Sequence, residues 1–208
     1  MLKRLVLVIP FLIFAFFILF ISVLRIASVK YEFMGDKPKN VVLGDNGIKI
    51  DYFLAYPGRI LPDSFFWPVK AARDKIWYAI TTNQGKKAEL LLLFADKRLG
   101  SSLILFQKDN ADVGFSTLSK AEKYLESASD KEKENRAKNI DTNEFLQRLI
   151  SASLKHFQVI KEIENIAPED ARPKIIELEV YPKKVYESAR NAILDKGMPS
   201  PDNPFDWK

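Results

Sequence analysis

The chain has 208 residues, with 32 Lys and Arg against 27 Asp and Glu, one histidine and no cysteine. That length holds one ordinary domain plus an anchor, and the missing thiols exclude disulfides, thiol catalysis and zinc–thiolate sites. The net charge of +5 does not mark a nucleic-acid binder: Lys3, Arg4, Arg25 and Lys30 lie in residues 1–30, which carry no acid, and the other 28 bases face 27 acids rather than forming a basic stripe.

The first element is LVLVIPFLIFAFFILFISVL, Leu5 to Leu24, whose only polar side chain is Ser22. Crossing a hydrocarbon core takes about 20 apolar residues, and the flanking charges stay out of lipid. A cleaved signal peptide has a shorter apolar core of about 7–15 residues and a small-x-small exit. Here the exit reads LRIASVKY, with Arg25 where a small residue is wanted. Residues 1–30 therefore read as an uncleaved N-terminal membrane anchor, in contact with lipid through residues 5–24. Counting charges on the two sides leaves orientation open. A short basic head before an early apolar run is the usual form of a signal-anchor, which places the rest of the chain outside the cytoplasm.

Residues 31–60 read as a linker, extended or with a small hairpin around GDNG. The helical domain follows over residues 61–196. In YPGRILPDSFFWPVKAARDKIWYAI, Pro57-Gly58 and Pro62 mark turns, and Asp63 or Ser64 is placed to cap a helix. Pro68 falls in its first turn, where proline costs little. The second helix, Gln84 to Asp109, carries apolar residues on more than one face and is expected to be central. Gly100 weakens it or lets a neighbour approach closely.

The third helix runs from Ala111 to about Lys138. Its second half is nearly all charged and is expected to project into water or fray. Asp141 and Glu144 resemble a capping box ahead of a fourth helix. A last helical hairpin is broken at Tyr181-Pro182 and ended by Gly197. Residues 197–208, Pro-rich, read as a disordered tail. The fold class is all-α: an N-terminal transmembrane helix followed by a bundle of four or five helices.

YPGRILPDSFFWPVKAARDKI, KKAELLLLFADKRL and STLSKAEKYLESA, in this order and spacing, resemble an uncharacterised bacterial family with a membrane-anchored helical domain of unknown function. Its pattern runs Pro-Gly-x-Leu-Pro-Asp-Ser/His-Pro-x-Tyr-x-x-Lys, then Lys-Lys-Ala-Glu-Leu and Ala-Asp-Lys-Arg-Leu. The likeness covers about Tyr52 to Ile163. The chain departs from it where Ser64-Phe65-Phe66-Trp67 replaces Ser-Pro-x-Tyr, and where Gly100 replaces a helix former. The resemblance implies an exported, tethered helical domain and no activity.

Candidate sites are few. His156 lacks the Glu-x-x-His partner of a di-iron bundle, since Ser153 stands three residues earlier, and it reads as a half-exposed helix residue. Met34 and Met198 lie outside the helices, so no axial haem pair forms. No catalytic, cofactor or metal residue is assigned, and the chain reads as a non-enzyme. An enzyme would require acids clustered around His156 in a cleft. Glu89, Asp96 and Arg98 read as structural charges that set helix register. Phe66, Trp67 and Trp77 are the candidate partner-facing residues, because one helix face cannot bury all the aromatics near them. The expected function is a single-pass, extracytoplasmic helical domain that binds another macromolecule, such as an envelope protein, or supports the envelope. The alternative is a bundle holding a small apolar ligand between its helices.

Overall fold

The structure, a computed structural model, describes residues 10, 14–16, 18, 50–205 and 207. Six helices follow in order: α1 Trp67–Ile80, α2 Gln84–Gln107, α3 Ala111–Ala137, α4 Asn143–Ile166, α5 Arg172–Glu177 and α6 Val180–Leu194. Strands are absent among the described residues. Most of the proposed anchor and of the 41–50 hairpin lies outside the described residues. Pro10, Phe14, Ala15, Phe16 and Ile18 are helical, and among the described residues no helix is long and apolar enough to cross a membrane.

The long helices α2, α3, α4 and α6 form the bundle, with α1 and the short α5 at its sides. α2 is central, as its apolar breadth predicts: Leu90, Leu91, Leu92 and Leu93 are all buried, and so are Leu99, Leu103, Leu105 and Phe106. It pairs antiparallel with α3. Asn135 Nδ2 donates to the Gln84 carbonyl at one end, and Ser102 Oγ donates to the Gly114 carbonyl at the other. Burying stripes on both helices removes apolar surface from water at roughly 25 cal/mol per Å², which outweighs any single helix's own propensity.

Three helix ends use a residue in the left-handed region: Asp109 at φ 59°, Asn139 at φ 57° and Gly197 at φ 69°. Around each, paired backbone bonds close the last turn, as in Asn110 N–H to Leu105 and Asp109 N–H to Phe106. Gly197 does this without a Cβ penalty, while Asp and Asn are the side-chain types that tolerate it best.

Several local expectations are corrected. Neither Asp63 nor Ser64 caps α1: the chain first makes two tight turns, Ser64 Oγ accepts from Phe66 N–H at 3.3 Å, and the helix begins at Trp67. At α4 the Asp141 carboxylate accepts from Asn143 N–H at 3.0 Å, but Glu144 pairs with Arg148 rather than reaching back. The α5–α6 break falls at Leu178–Glu179, and Pro182 sits buried in the first turn of α6, where its missing N–H is harmless.

The charged half of α3 does not fray. Ser129, Glu132 and Asn135 face inward and are buried. Glu132 accepts from Thr142 Oγ1 at 2.7 Å and from Arg136 Nε at 3.2 Å, so its burial is satisfied.

The tail also folds. Trp207 stacks between Phe157 and Tyr186, at centroid distances of 4.6 and 5.4 Å. Asn203 holds it there: its Oδ1 accepts from Phe205 N–H and Trp207 Nε1, and its Nδ2 donates to the Trp207 carbonyl. A short Pro-rich segment with local side-chain bonds loses less entropy on ordering than a flexible one. Trp207→Ala is expected to destabilise the protein by about 2 kcal/mol, the sum of lost stacking and lost apolar burial. Thermal unfolding of the detergent-solubilised full chain would read this; no change in midpoint would show that the tail contributes nothing.

Candidate functional site

Two constellations stand out. One is sealed in the bundle and the other is open beside α1.

The sealed one is built on His156 of α4, which is fully buried rather than half-exposed. Its Nδ1 lies 2.8 Å from Glu122 Oε1 on α3, and its Nε2 lies 3.2 Å from Asp96 Oδ1 on α2. Tyr52 comes in from the N-terminal side and donates its hydroxyl to Asp96 Oδ2 at 2.8 Å. A single ring therefore ties three helices together at one level, and an extended segment closes over it.

Burial alone would make His156 a weaker base. The Glu122 charge, with hydrogen bonds to Asp96 and Glu122, overcomes that and raises it from 6.5 to about 9. At neutral pH the ring is an imidazolium donating both N–H groups, and no lone pair remains for a substrate. Tyr52 is pushed well above 10.0, first by burial and then by the Asp96 charge, so it stays a donor. Acids do cluster around His156, but in a packed core and not in a cleft. Glu122 Oε2 is buried with no hydrogen-bond partner among the described residues.

The signal for this cluster was present in the spacing. Leu149, Ser153, His156, Ile160 and Ile163 follow each other by four and three residues, the seam of a packed helix. Asp96 occupies the same kind of position between Leu92 and Leu99, and Glu122 between Leu118 and Leu125. One base and two acids at three seam positions is what a buried charge clamp requires.

The open constellation surrounds α1. That helix is attached chiefly by side chains. Trp77 is buried at 5% exposure against Phe94, so it belongs to the core and does not face a partner. Arg98 is buried too, its guanidinium 4.3 Å from the Tyr124 ring and 5.8 Å from Trp67. Cation–π attraction thus helps hold α1 to α2 and α3. Trp67 is half-buried in this contact, whereas Phe66 is exposed. Of the expected structural charges, Asp96 and Arg98 are buried. Glu89 is exposed and enters no ion pair among the described residues.

The outward side of α1 is apolar as well. Phe65 is 90% exposed, Val69 59% and Ile80 47%, and Ala72, Ile76 and Ala79 are also exposed. Phe65, Val69, Ala72, Ile76 and Ala79 again follow the four-three spacing and are exposed, with Phe65 in edge contact with the neighbouring Phe66 ring. Beside this stripe lies a hollow of about 550 Å³, lined by Arg59, Lys70, Arg73 and Lys97 with no acid. Lys70 Nζ donates to the Pro57 and Ile60 carbonyls at 2.6 and 2.8 Å, fixing the loop that forms one wall. Gly100 faces the Pro57 ring of that loop; a Cβ there would lie 3.4 Å from the ring, an ordinary contact distance, so the packing does not require glycine. A second hollow, about 580 Å³, lies on the other side of α1, floored by Leu91, Phe94 and Tyr124 and rimmed by charges.

The clamp makes stability depend on pH. A group whose folded pKa is raised contributes fully below its unfolded value and loses that contribution as pH rises through the folded one. For His156 the window runs from 6.5 to about 9 and corresponds to about 3 kcal/mol. Lys70, lowered to about 8 chiefly by burial, acts in the opposite sense. The His156 contribution is therefore the difference between the protein and His156→Gln, measured by denaturant unfolding from pH 6 to 10. That difference is expected to shrink across the window; a constant difference would mean that the ring is neutral. His156→Ala, which leaves two buried carboxylates unpaired, is expected to cost about 3–5 kcal/mol.

No curated protein and no solved structure matches the chain. A family profile described as a domain of unknown function, DUF5667, matches residues 59–170, from the turn before α1 to the residues just after α4. The match takes in the α1–α4 residues of both constellations, His156 and the α1 stripe included, and leaves Tyr52, α5, α6 and the tail outside it. It covers more than half of the sequence, and the chain belongs to the DUF5667 family.

Proposed function

We propose that this protein is a binding module tethered to a bacterial cell membrane. Residues 5–24 anchor it in a single pass, the helical domain lies outside the cytoplasm, and α1 with its preceding turn is the face that engages an envelope component. The observation that carries this reading is the two-sided character of α1. Its inner side, with Trp77 and Asp74, is already buried against the bundle, and its outer side is a second apolar stripe. A soluble protein leaves such a contiguous stripe open where something else covers it. The length and purity of the apolar run support the anchor.

A small ligand enclosed between the helices is the weaker reading. Both hollows lie at the surface beside α1, and the level of the bundle where a cofactor would sit is filled by the Asp96–His156–Glu122 clamp.

The test uses the full chain in its native membrane. It should stay in the pellet on alkaline extraction, and Ser127→Cys, exposed on α3 in a chain without other thiols, should react with an impermeant maleimide on intact cells. Release into the supernatant would refute the anchor, and protection of the thiol would reverse the orientation. A photo-crosslinking residue at Phe66 should form adducts that the same group at Glu187 on α6 does not; equal yields would refute α1 as the binding face.

A further inference from the structure

We propose that the occupant of the α1 face is an anionic phospholipid surface, with headgroup phosphates in the cationic hollow and the apolar stripe seated at the acyl boundary. This rests on the tethered reading above. Three observations lead to it.

The first is chemical. Arg59, Lys70, Arg73 and Lys97 line one wall-to-wall hollow without an acid, and its rim is apolar: Tyr56, Ile60, Phe66 and Val69. Clustered cations set beside exposed aromatic and branched side chains are the composition of a helix that lies in a membrane interface. The core of a protein–protein interface, by contrast, is depleted in lysine.

The second is electrostatic. Lys97 and Lys70 are both lowered, chiefly by burial; Asp74, paired with Arg73 at 2.7 Å, opposes the shift, and neighbouring cations add to it. These charges are held near one another at a cost that an arriving phosphate removes.

The third is positional. Ala15 and Ile18 of the apolar N-terminal run close one side of the hollow here, and in the tethered state, where that run lies in the bilayer, the lipid surface takes their place. Residues 25–49, even drawn straight, reach about 85 Å. The anchor therefore confines the face near the bilayer, where the raised local concentration lets a modest face dock.

The experiment places the full chain in vesicles. Ala72→Cys, in the middle of the stripe, and Glu187→Cys, on α6, are each labelled with a polarity-sensitive dye. Quenching by lipids brominated in their acyl chains is then compared between phosphatidylcholine and phosphatidylcholine with phosphatidylglycerol at about one lipid in three. The expected result is strong quenching at position 72 in the anionic vesicles, weaker quenching there in the zwitterionic ones, and little at position 187 in either. Removing cations that line the hollow, with Arg59→Gln and Lys97→Gln, should shift the docked fraction by up to about fivefold per charge.

Four outcomes would overturn the proposal. Equal quenching in both lipids would remove the headgroup. Release by free inorganic phosphate would make the hollow a soluble-anion site. Copy-to-copy crosslinking through position 72 would make the occupant a second chain. A dye shielded from both brominated lipid and aqueous iodide would place the protein's own N-terminal segment on the stripe. Failure of the chain to float with the vesicles would instead refute the anchor, so the two readings fail separately.

Discussion

A single imidazolium held between two carboxylates organises this bundle. His156 reaches Glu122 on α3 with one nitrogen and Asp96 on α2 with the other, and Tyr52 completes the Asp96 shell. Apolar seams alone allow helices to slide by a turn with little loss, because one leucine layer resembles the next. A buried charge has one acceptable register, since any slip leaves it without its partner, at several kcal/mol. The clamp also ties the N-terminal extended segment to the middle of the bundle through Tyr52. Two negative charges answering one positive charge also explain why the ring holds its proton so far above its ordinary value.

The same bundle leaves α1 in an unusual position. A helix on the side of a globular domain ordinarily has one apolar stripe, turned inward. Here the inward stripe consists of Trp67, Asp74 and Trp77: Trp77 meets Phe94 edge-on, Arg98 lies over the Trp67 ring, and Asp74 pairs with Arg73. The smaller aliphatic residues are turned outward. That inversion places the apolar surface on the side away from the core, next to the cationic hollow that the Pro57–Ile60 loop and Lys70 build.

Much of the architecture was legible in the residues. Stripe periodicity placed four of the helices within a few residues of their observed bounds and identified α2 as central. Reading failed where polarity was equated with exposure. The charged half of α3 looked solvated, yet Glu132 and Asn135 find partners across the turn and beneath α2. His156 looked half-exposed because its own helix holds no acid that would pair with it; both partners lie on other helices, 34 and 60 residues away. Trp77 looked available because the first helix carries more aromatics than one face accepts, but Phe94 takes it into the core. The tail looked loose because its anchoring contacts, Phe157 and Tyr186, are remote in sequence.

The sequence by itself determined the local terms: helix periods, turns at Pro and Gly, and the uncharged run at the N-terminus. These depend on neighbours within one or two turns, and such neighbours are written in order along the chain. Only the tertiary structure decided which polar side chains were buried, which aromatics faced water, and that Asp96, Glu122 and His156 met. Those outcomes depend on pairings between helices, and a charge's environment is set by what packs on it across space, not by what stands beside it in the chain.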